Sequence, residues 1–139
     1  MDIEGLLPGI VVKPWGHEHI VRKTKKYVVK EMFVKAGHQL SLQYHNMKVE
    51  TIFLLDGDAF ILLPKKYGGL GDAFLYVAKS SIDMIEAIDK FEMSVMEPYY
   101  IKNQTIHRLG ANKDSLFLEV STTELKDVVR LKDDYGRGR

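Results

Sequence analysis

Gln43, His45 and Glu50 place an amide, an imidazole and a carboxylate inside "LSLQYHNMKVETIFLLDG", one of the most apolar stretches of the chain. In an extended strand, residues two apart share a face, so Ser41, Gln43 and His45 project one way and Leu40, Leu42 and Tyr44 the other. On the run that follows, Glu50 shares a face with Ile52 and Leu54. Antiparallel pairing of these two runs across Asn46-Met47-Lys48-Val49 is expected to bring Glu50 beside Gln43 and His45. Burying a carboxylate without a partner is costly, and a bound divalent cation offsets that cost. His107, in "YYIKNQTIHRLGAN", is the candidate for a further ligand from a distant strand, with water as the other source. His17, His19 and His38 are read as surface or packing residues.

The elements that must position these groups are short β-strands. "HEHIVRK" and "YVVKEMFVKAG" flank a Thr24-Lys25-Lys26 turn, "QLSLQYH" follows Gly37, "ETIFLLDGDAFILL" turns at Asp56-Gly57-Asp58, and "SLFLEVS" comes late. Asp-Gly between two apolar runs predicts a hairpin, and many short strands at close spacing predict an all-β sandwich or barrel. One stretch departs from this pattern. Ile82, Ile85 and Ile88 recur at helical spacing after a Ser80 or Ser81 cap, predicting a short helix within an insertion at about 65–92. The glycine-rich "YGGLGD" before it lacks the Lys-Ser/Thr of a phosphate-cradling loop and reads as a plain turn. No repeat or linker divides the chain, so residues 1–139 are read as one domain.

Composition narrows the function further. The 139 residues carry a formal net charge of +1, which gives no electrostatic track for nucleic acid or an anionic membrane. The basic cluster Arg22-Lys23-Thr24-Lys25-Lys26 reads as a solvated turn. There are no cysteines, so a metal must be held by nitrogen and oxygen. No apolar stretch has the roughly 20 residues a membrane span needs. "MDIEGLLPGIVV" lacks the basic region and long apolar run of a signal peptide, and a cytoplasmic location is the expectation.

Gly37-x5-Gln43-x-His45-x4-Glu50-x6-Gly57 resembles the first cupin motif, with glutamine in place of its first histidine. That replacement is similar to one branch, the type II phosphomannose isomerases, which commonly form the C-terminal cupin of bifunctional mannose-1-phosphate guanylyltransferases. Lys13-Pro14-Trp15-Gly16, "LSLQYH", "IHRL", "LEVST" and "DVVRLKDDYGR" match that branch in order. The resemblance implies a cupin jelly-roll β-barrel holding one divalent metal on Gln43, His45, Glu50 and His107. Zinc is the metal it points to, and manganese, iron, nickel or cobalt also suit such ligands. It implies a homodimer and a small sugar phosphate as substrate. Nothing in this chain has the length or glycine fingerprint of a nucleotide-binding α/β domain, so guanylyl transfer is not expected of it. Two departures stand out. The second motif usually reads Pro-x-Gly-x-x-His, where this chain has Lys102-Asn103-Gln104-Thr105-Ile106-His107, and Met47 stands where the branch often has histidine.

The implied reaction is aldose–ketose isomerisation of mannose 6-phosphate to fructose 6-phosphate through a cis-enediolate, with a metal to stabilise the developing oxyanion and a base to carry the proton. Glu119, Lys102 and Lys48 are the candidate bases. Ser41, Arg108, Arg130 and Arg137 are assigned to substrate binding, the arginines because paired donors suit phosphate. Another phosphorylated or nucleotide-linked sugar, or sugar binding without turnover, are the alternative readings.

Overall fold

In the computed structural model, which describes residues 9–64 and 88–137, the period-2 runs of the sequence become strands. They are β1 (Ile10–Lys13), β2 (Gly16–Lys23), β3 (Val28–Val34), β4 (Leu42–Tyr44), β5 (Glu50–Asp56), β6 (Ala59–Pro64), β7 (Ile88–Glu92), β8 (Tyr99–Ile101), β9 (Arg108–Ala111), β10 (Ser115–Ser121) and β11 (Val129–Lys132). One antiparallel sheet runs β1-β2-β3-β10-β5-β8. The shorter sheets β11-β4 and β7-β6-β9 are joined by backbone bridges Gln43–His107 and Gln39–Gly110 into a second layer. Two antiparallel layers over a shared interior form the expected all-β jelly roll. Among the described residues, no helix is long and apolar enough to cross a membrane.

The turn at Thr24 is the one anticipated between β2 and β3, which pair antiparallel. Thr24 Oγ1 accepts the N–H groups of Lys26 (3.1 Å) and Tyr27 (3.0 Å), which closes the turn. Two other expectations are corrected. Asp56-Gly57-Asp58 does not close a hairpin: β5 pairs with β10 and β8, while β6 pairs with β7 and β9. The turn packs instead on the corner before β10, where Ser115 Oγ accepts the Asp58 N–H (3.1 Å). Gly57 has φ +116°, and a Cβ there would lie 2.3 Å from that oxygen. The chain thus crosses from one layer to the other. Likewise β4 and β5 do not pair, because β4 lies against β11 in the opposite layer. The predicted helix falls outside the described residues except for Ile88, which opens β7, so the end of the supposed insertion is a strand paired with β6.

Alternation decides what faces inward. On β3, β10 and β5, cross-strand neighbours form rows: Met32, Phe117 and Leu54, then Lys30, Glu119 and Ile52, then Val28, Ser121 and Glu50. The first row joins Trp15, Val34, Ile61 and Leu109 in the apolar core, each such side chain contributing about 1.5–3 kcal/mol when fully buried. The next rows carry charge into the same interior. One end of the barrel is oil and the other is ionic.

Candidate metal centre and cavity

The ionic end assembles from both layers. Glu50 comes from β5 in the larger sheet. His45 follows β4, and His107 precedes β9, in the smaller layer. Gln43 and His107 exchange backbone hydrogen bonds (3.0 and 2.9 Å), so their side chains share a face. His45, Glu50 and His107 are each at most 3% exposed, and their ligand atoms lie within 4.8 Å of one another. Gln43 is half-buried beside them, its Oε1 accepting from Ser41 Oγ at 2.6 Å. Ser41, Gln43, Glu50, His107 and Glu119 enclose a void of ≈ 10 Å³, close to the space one water or ion occupies.

The protonation pattern of the histidines is set by backbone carbonyls. His45 Nδ1 contacts the Asp127 oxygen at 2.5 Å and His107 Nδ1 the Thr105 oxygen at 2.9 Å. A carbonyl only accepts, so each Nδ1 carries a hydrogen, and in the neutral form of each ring a bare Nε2 is turned inward. Those nitrogens lie 3.4 Å (His45) and 3.0 Å (His107) from the same oxygen, Glu50 Oε1. His45 Nε2 is buried with no hydrogen-bond partner. Three acceptors therefore converge with no donor between them, an arrangement satisfied by a proton or a cation. Two imidazole nitrogens and a carboxylate, with an amide oxygen adjacent, fit a divalent metal of the nitrogen-and-oxygen class. Burial opposes the Glu50 charge. Hydrogen bonds from His107 and His45, which need rings protonated at Nε2, hold its carboxyl well below the usual carboxylate range, and a cation does the same work when the rings are neutral.

A chain of alternating charges leads away from Glu50. Lys48 Nζ lies 3.1 Å from Glu50 Oε2 and 3.2 Å from Glu119 Oε2, Lys30 lies 3.5 Å from Glu119, and Glu18 lies 3.4 Å from Lys30. Burial disfavours the Lys48 ammonium, but Glu119 and Glu50 outweigh it and hold its pKa above the ordinary lysine value. Burial and neighbouring Glu50 push the Glu119 carboxyl up to about 7, against the pull of Lys48 and Lys30. Gln43, His45, Lys48, Glu119, Arg130 and Arg137 border a cavity of ≈ 100 Å³ that continues from this chain.

The other anticipated residues divide between the cavity wall and positions away from it. Lys102 is exposed in the turn after β8 and does not border the cavity. Arg108 is buried on β9, with its guanidinium committed to the Leu40 carbonyl (2.7 Å) and Asp134 (2.8 Å). It braces the chain ahead of β4 and does not reach the cavity wall. Arg137 borders the cavity but makes a two-pronged pair with Asp133 (3.1 and 2.9 Å). Arg130, opposite Gln43 on β11, pairs with neither Asp133 nor Asp134. His17 and His38 are packing residues, stacked on Phe33 and Tyr135.

The altered second motif keeps a turn that glycine would suit. Gln104 occupies the left-handed region at φ +62°, and its N–H donates to the His45 carbonyl at 2.6 Å. His107 is thereby tied to His45 without the usual glycine. Three contributors escaped the sequence reading. Lys30 and Glu18 line the cavity, and Lys30 had a visible signal as a charge in the inward register of β3. Asp127 accepts the N–H groups of Asn46 (3.0 Å), Met47 (2.6 Å) and Lys48 (3.0 Å) while its carbonyl orients His45. This latch swings the chain between the layers where a hairpin had been expected.

A family model described as mannose-6-phosphate isomerase C-terminal matches residues 8–111. The alginate biosynthesis protein AlgA of Pseudomonas aeruginosa is 29% identical over 133 residues, covering 91% of this chain and 23% of that protein. The chain thus spans about a quarter of the length of the curated relatives it matches. Among solved structures, the capsular polysaccharide assembling protein CapF of Staphylococcus aureus matches with a TM-score of 0.67 at 16% identity, over 88% of this chain and 31% of that one. A cupin superfamily protein of Desulfitobacterium hafniense matches with a TM-score of 0.54 at 9% identity, over 77% and 76% of the two chains. At these identities the structural likeness establishes the cupin fold.

Proposed function

Since this chain belongs to the family of mannose-6-phosphate isomerase C-terminal domains, we propose that it is a metal-dependent sugar-phosphate isomerase that interconverts mannose 6-phosphate and fructose 6-phosphate through a cis-enediolate. The observation that carries this reading is the convergence of His45 Nε2 and His107 Nε2 on Glu50 Oε1 while each Nδ1 is directed to a backbone carbonyl. A divalent ion, zinc by family likeness, held there with Gln43 would supply positive charge for the oxygen on which negative charge develops.

The chain's own residues divide the remaining work. Glu119 is the base in this reading, because it is the one carboxylate among the three candidates and it borders the cavity. It takes the proton from carbon 2 of the open-chain sugar and returns it to carbon 1. Lys48, clamped between two carboxylates, stays an ammonium and acts as a fixed positive charge beside the reacting oxygens. Trp15, Met32, Leu40 and Val128 line the apolar part of the cavity and exclude water.

Proton NMR of mannose 6-phosphate in heavy water tests the reaction, with protein loaded in turn with zinc, manganese or nickel. Fructose 6-phosphate should appear, or deuterium should enter at carbon 2. No exchange with any metal at confirmed occupancy refutes the isomerase and favours another sugar or a binding role. Metal content gives a separate readout: His107→Ala should lose bound metal while retaining its β-sheet circular dichroism. Pairing of two copies through the larger sheet is supported by its outer face, where half-buried Phe33, Phe53, Leu116, Leu118 and Val120 lie with Glu31 and Thr51 among them. Light scattering at the mass of a dimer is the expected result.

A further inference from the structure

The cations around the cavity fall into two groups. Lys30 and Lys48 are matched by Glu18, Glu119 and Glu50, and Arg137 by Asp133. Lys13 and Arg130 border the same ≈ 100 Å³ cavity, yet among the described residues neither side chain has a hydrogen bond or close ion pair. Arg130 Nε is buried with no acceptor at all. Asp133 feels the Arg130 charge at longer range, but both of its oxygens are engaged by Arg137.

Topology places the two cations on separate walls. Lys13 ends β1, the edge of the larger sheet, and Arg130 lies on β11, the edge of the smaller layer. Each edge strand thus offers one uncommitted cation to the cavity. Lys13 is held in place from behind. Trp15 is 2% exposed in the core, and its carbonyl accepts the Lys35 N–H at 2.9 Å.

We infer that Lys13 and Arg130 form a two-walled clamp for the phosphate of the sugar-phosphate substrate, a role that rests on the isomerase reading above. A buried guanidinium N–H without an acceptor is costly. A sugar hydroxyl could satisfy that hydrogen but would leave two positive charges uncompensated. A phosphate dianion answers both, taking paired donors from the arginine and a point charge from the lysine. The clamp accounts for phosphate recognition without Arg108, whose fork is spent on Leu40 and Asp134.

Calorimetric titration with inorganic phosphate, mannose 6-phosphate and mannose separates the possibilities when run on wild type, Lys13→Gln, Arg130→Gln and Lys13→Arg. Lys90→Gln serves as a charge-matched control, because Lys90 pairs with Glu92 on exposed β7, away from the cavity. Circular dichroism confirms folding of each variant. Lys13→Gln and Arg130→Gln should each weaken phosphate binding about tenfold or more, raise KM for the sugar phosphate by a similar factor and largely spare kcat. Lys13→Arg should restore binding, and mannose should bind all variants alike. Wild-type affinity in Lys13→Gln, equal loss in Lys90→Gln, or no phosphate binding by the wild type overturns the clamp. Phosphate binding that depends on Lys13 without any isomerisation keeps the clamp and removes the isomerase. Isomerisation with a KM indifferent to Lys13 does the reverse.

Discussion

Replacing Asp127 by alanine should loosen the proposed metal centre from outside it. The carboxylate accepts three backbone N–H groups from the segment that joins His45 to Glu50. Asn46 and Met47 are exposed, so water takes over two of those donors at little cost. Lys48 is 5% exposed, and its N–H would lose a charge-assisted bond with no replacement, a loss of about 1.5–3 kcal/mol. Together the three give about 2–3 kcal/mol, or roughly 10 °C in Tm for a chain of this size. The Asp127 carbonyl also fixes the His45 ring, and disturbing such a support typically costs about 10–100-fold in metal affinity. Thermal melts and a cobalt titration followed by visible absorbance measure the two effects. Asp127→Asn, which keeps one acceptor oxygen, should fall between. The pH dependence adds a sign. Burial opposes the Asp127 charge, but the Met47, Lys48 and Asn46 N–H groups hold its carboxyl below the ordinary aspartate range. Its stabilisation is therefore complete above an unfolded value of about 3.9 and is lost as pH falls towards the folded one. The stability gap between wild type and Asp127→Asn should narrow across that acid window. An alanine variant that melts within 2 °C (about half a kcal/mol) of wild type and binds cobalt equally well refutes the latch.

Three further outcomes follow from local geometry. Gln104→Gly should raise stability by about 0.5–1 kcal/mol, measured by urea unfolding, because φ +62° costs glycine little; a loss of stability means the Gln104 side chain contributes more than its backbone costs. Gly57→Ala should destabilise by about 3 kcal/mol in the same assay, since its Cβ would meet Ser115 Oγ at 2.3 Å in a left-handed conformation. Lys48→Met should cost about 3–5 kcal/mol by stranding Glu50 and Glu119 together, and adding Glu119→Gln should recover part of that loss in a double-mutant cycle.

The sequence made some features legible because they are local. Alternation in β3, β5 and β10 needs no knowledge of partners, and residue types and spacing marked His45 and Glu50 with His107 as a candidate, while the full ligand set came from the family resemblance. Strand partnership was not accessible. The hairpins expected at Asn46–Val49 and at Asp56–Asp58 are both crossings between layers, decided by Asp127 and Ser115, which lie 81 and 57 residues from the N–H groups of Asn46 and Asp58 that they accept. A turn signal reports that the chain reverses, while distant hydrogen bonds determine into which sheet it goes. The arginines illustrate the same limit. Arg108, Arg130 and Arg137 look alike in a motif, but two are neutralised by Asp134 and Asp133 and only Arg130 keeps a buried donor in need of an acceptor.

The buried charges also explain why the polar end resists conversion to an ordinary core. Glu18, Glu119 and Glu50 alternate with Lys30 and Lys48, so three carboxylates face two ammoniums. The surplus negative charge lies at the Glu50 end, beside rings whose hydrogens are already committed to carbonyls. Repulsion from Glu50 is one reason the Glu119 carboxyl is pushed up to about 7. Single apolar replacements in such a chain strand a charge, which costs more than the chain as a whole contributes. An interior arranged for stability alone would repeat the Met32, Phe117 and Leu54 row. This barrel instead continues with Lys30 and Glu119 and ends on a carboxylate facing two imidazole nitrogens, the sequence of groups on which the proposed metal and phosphate sites rest.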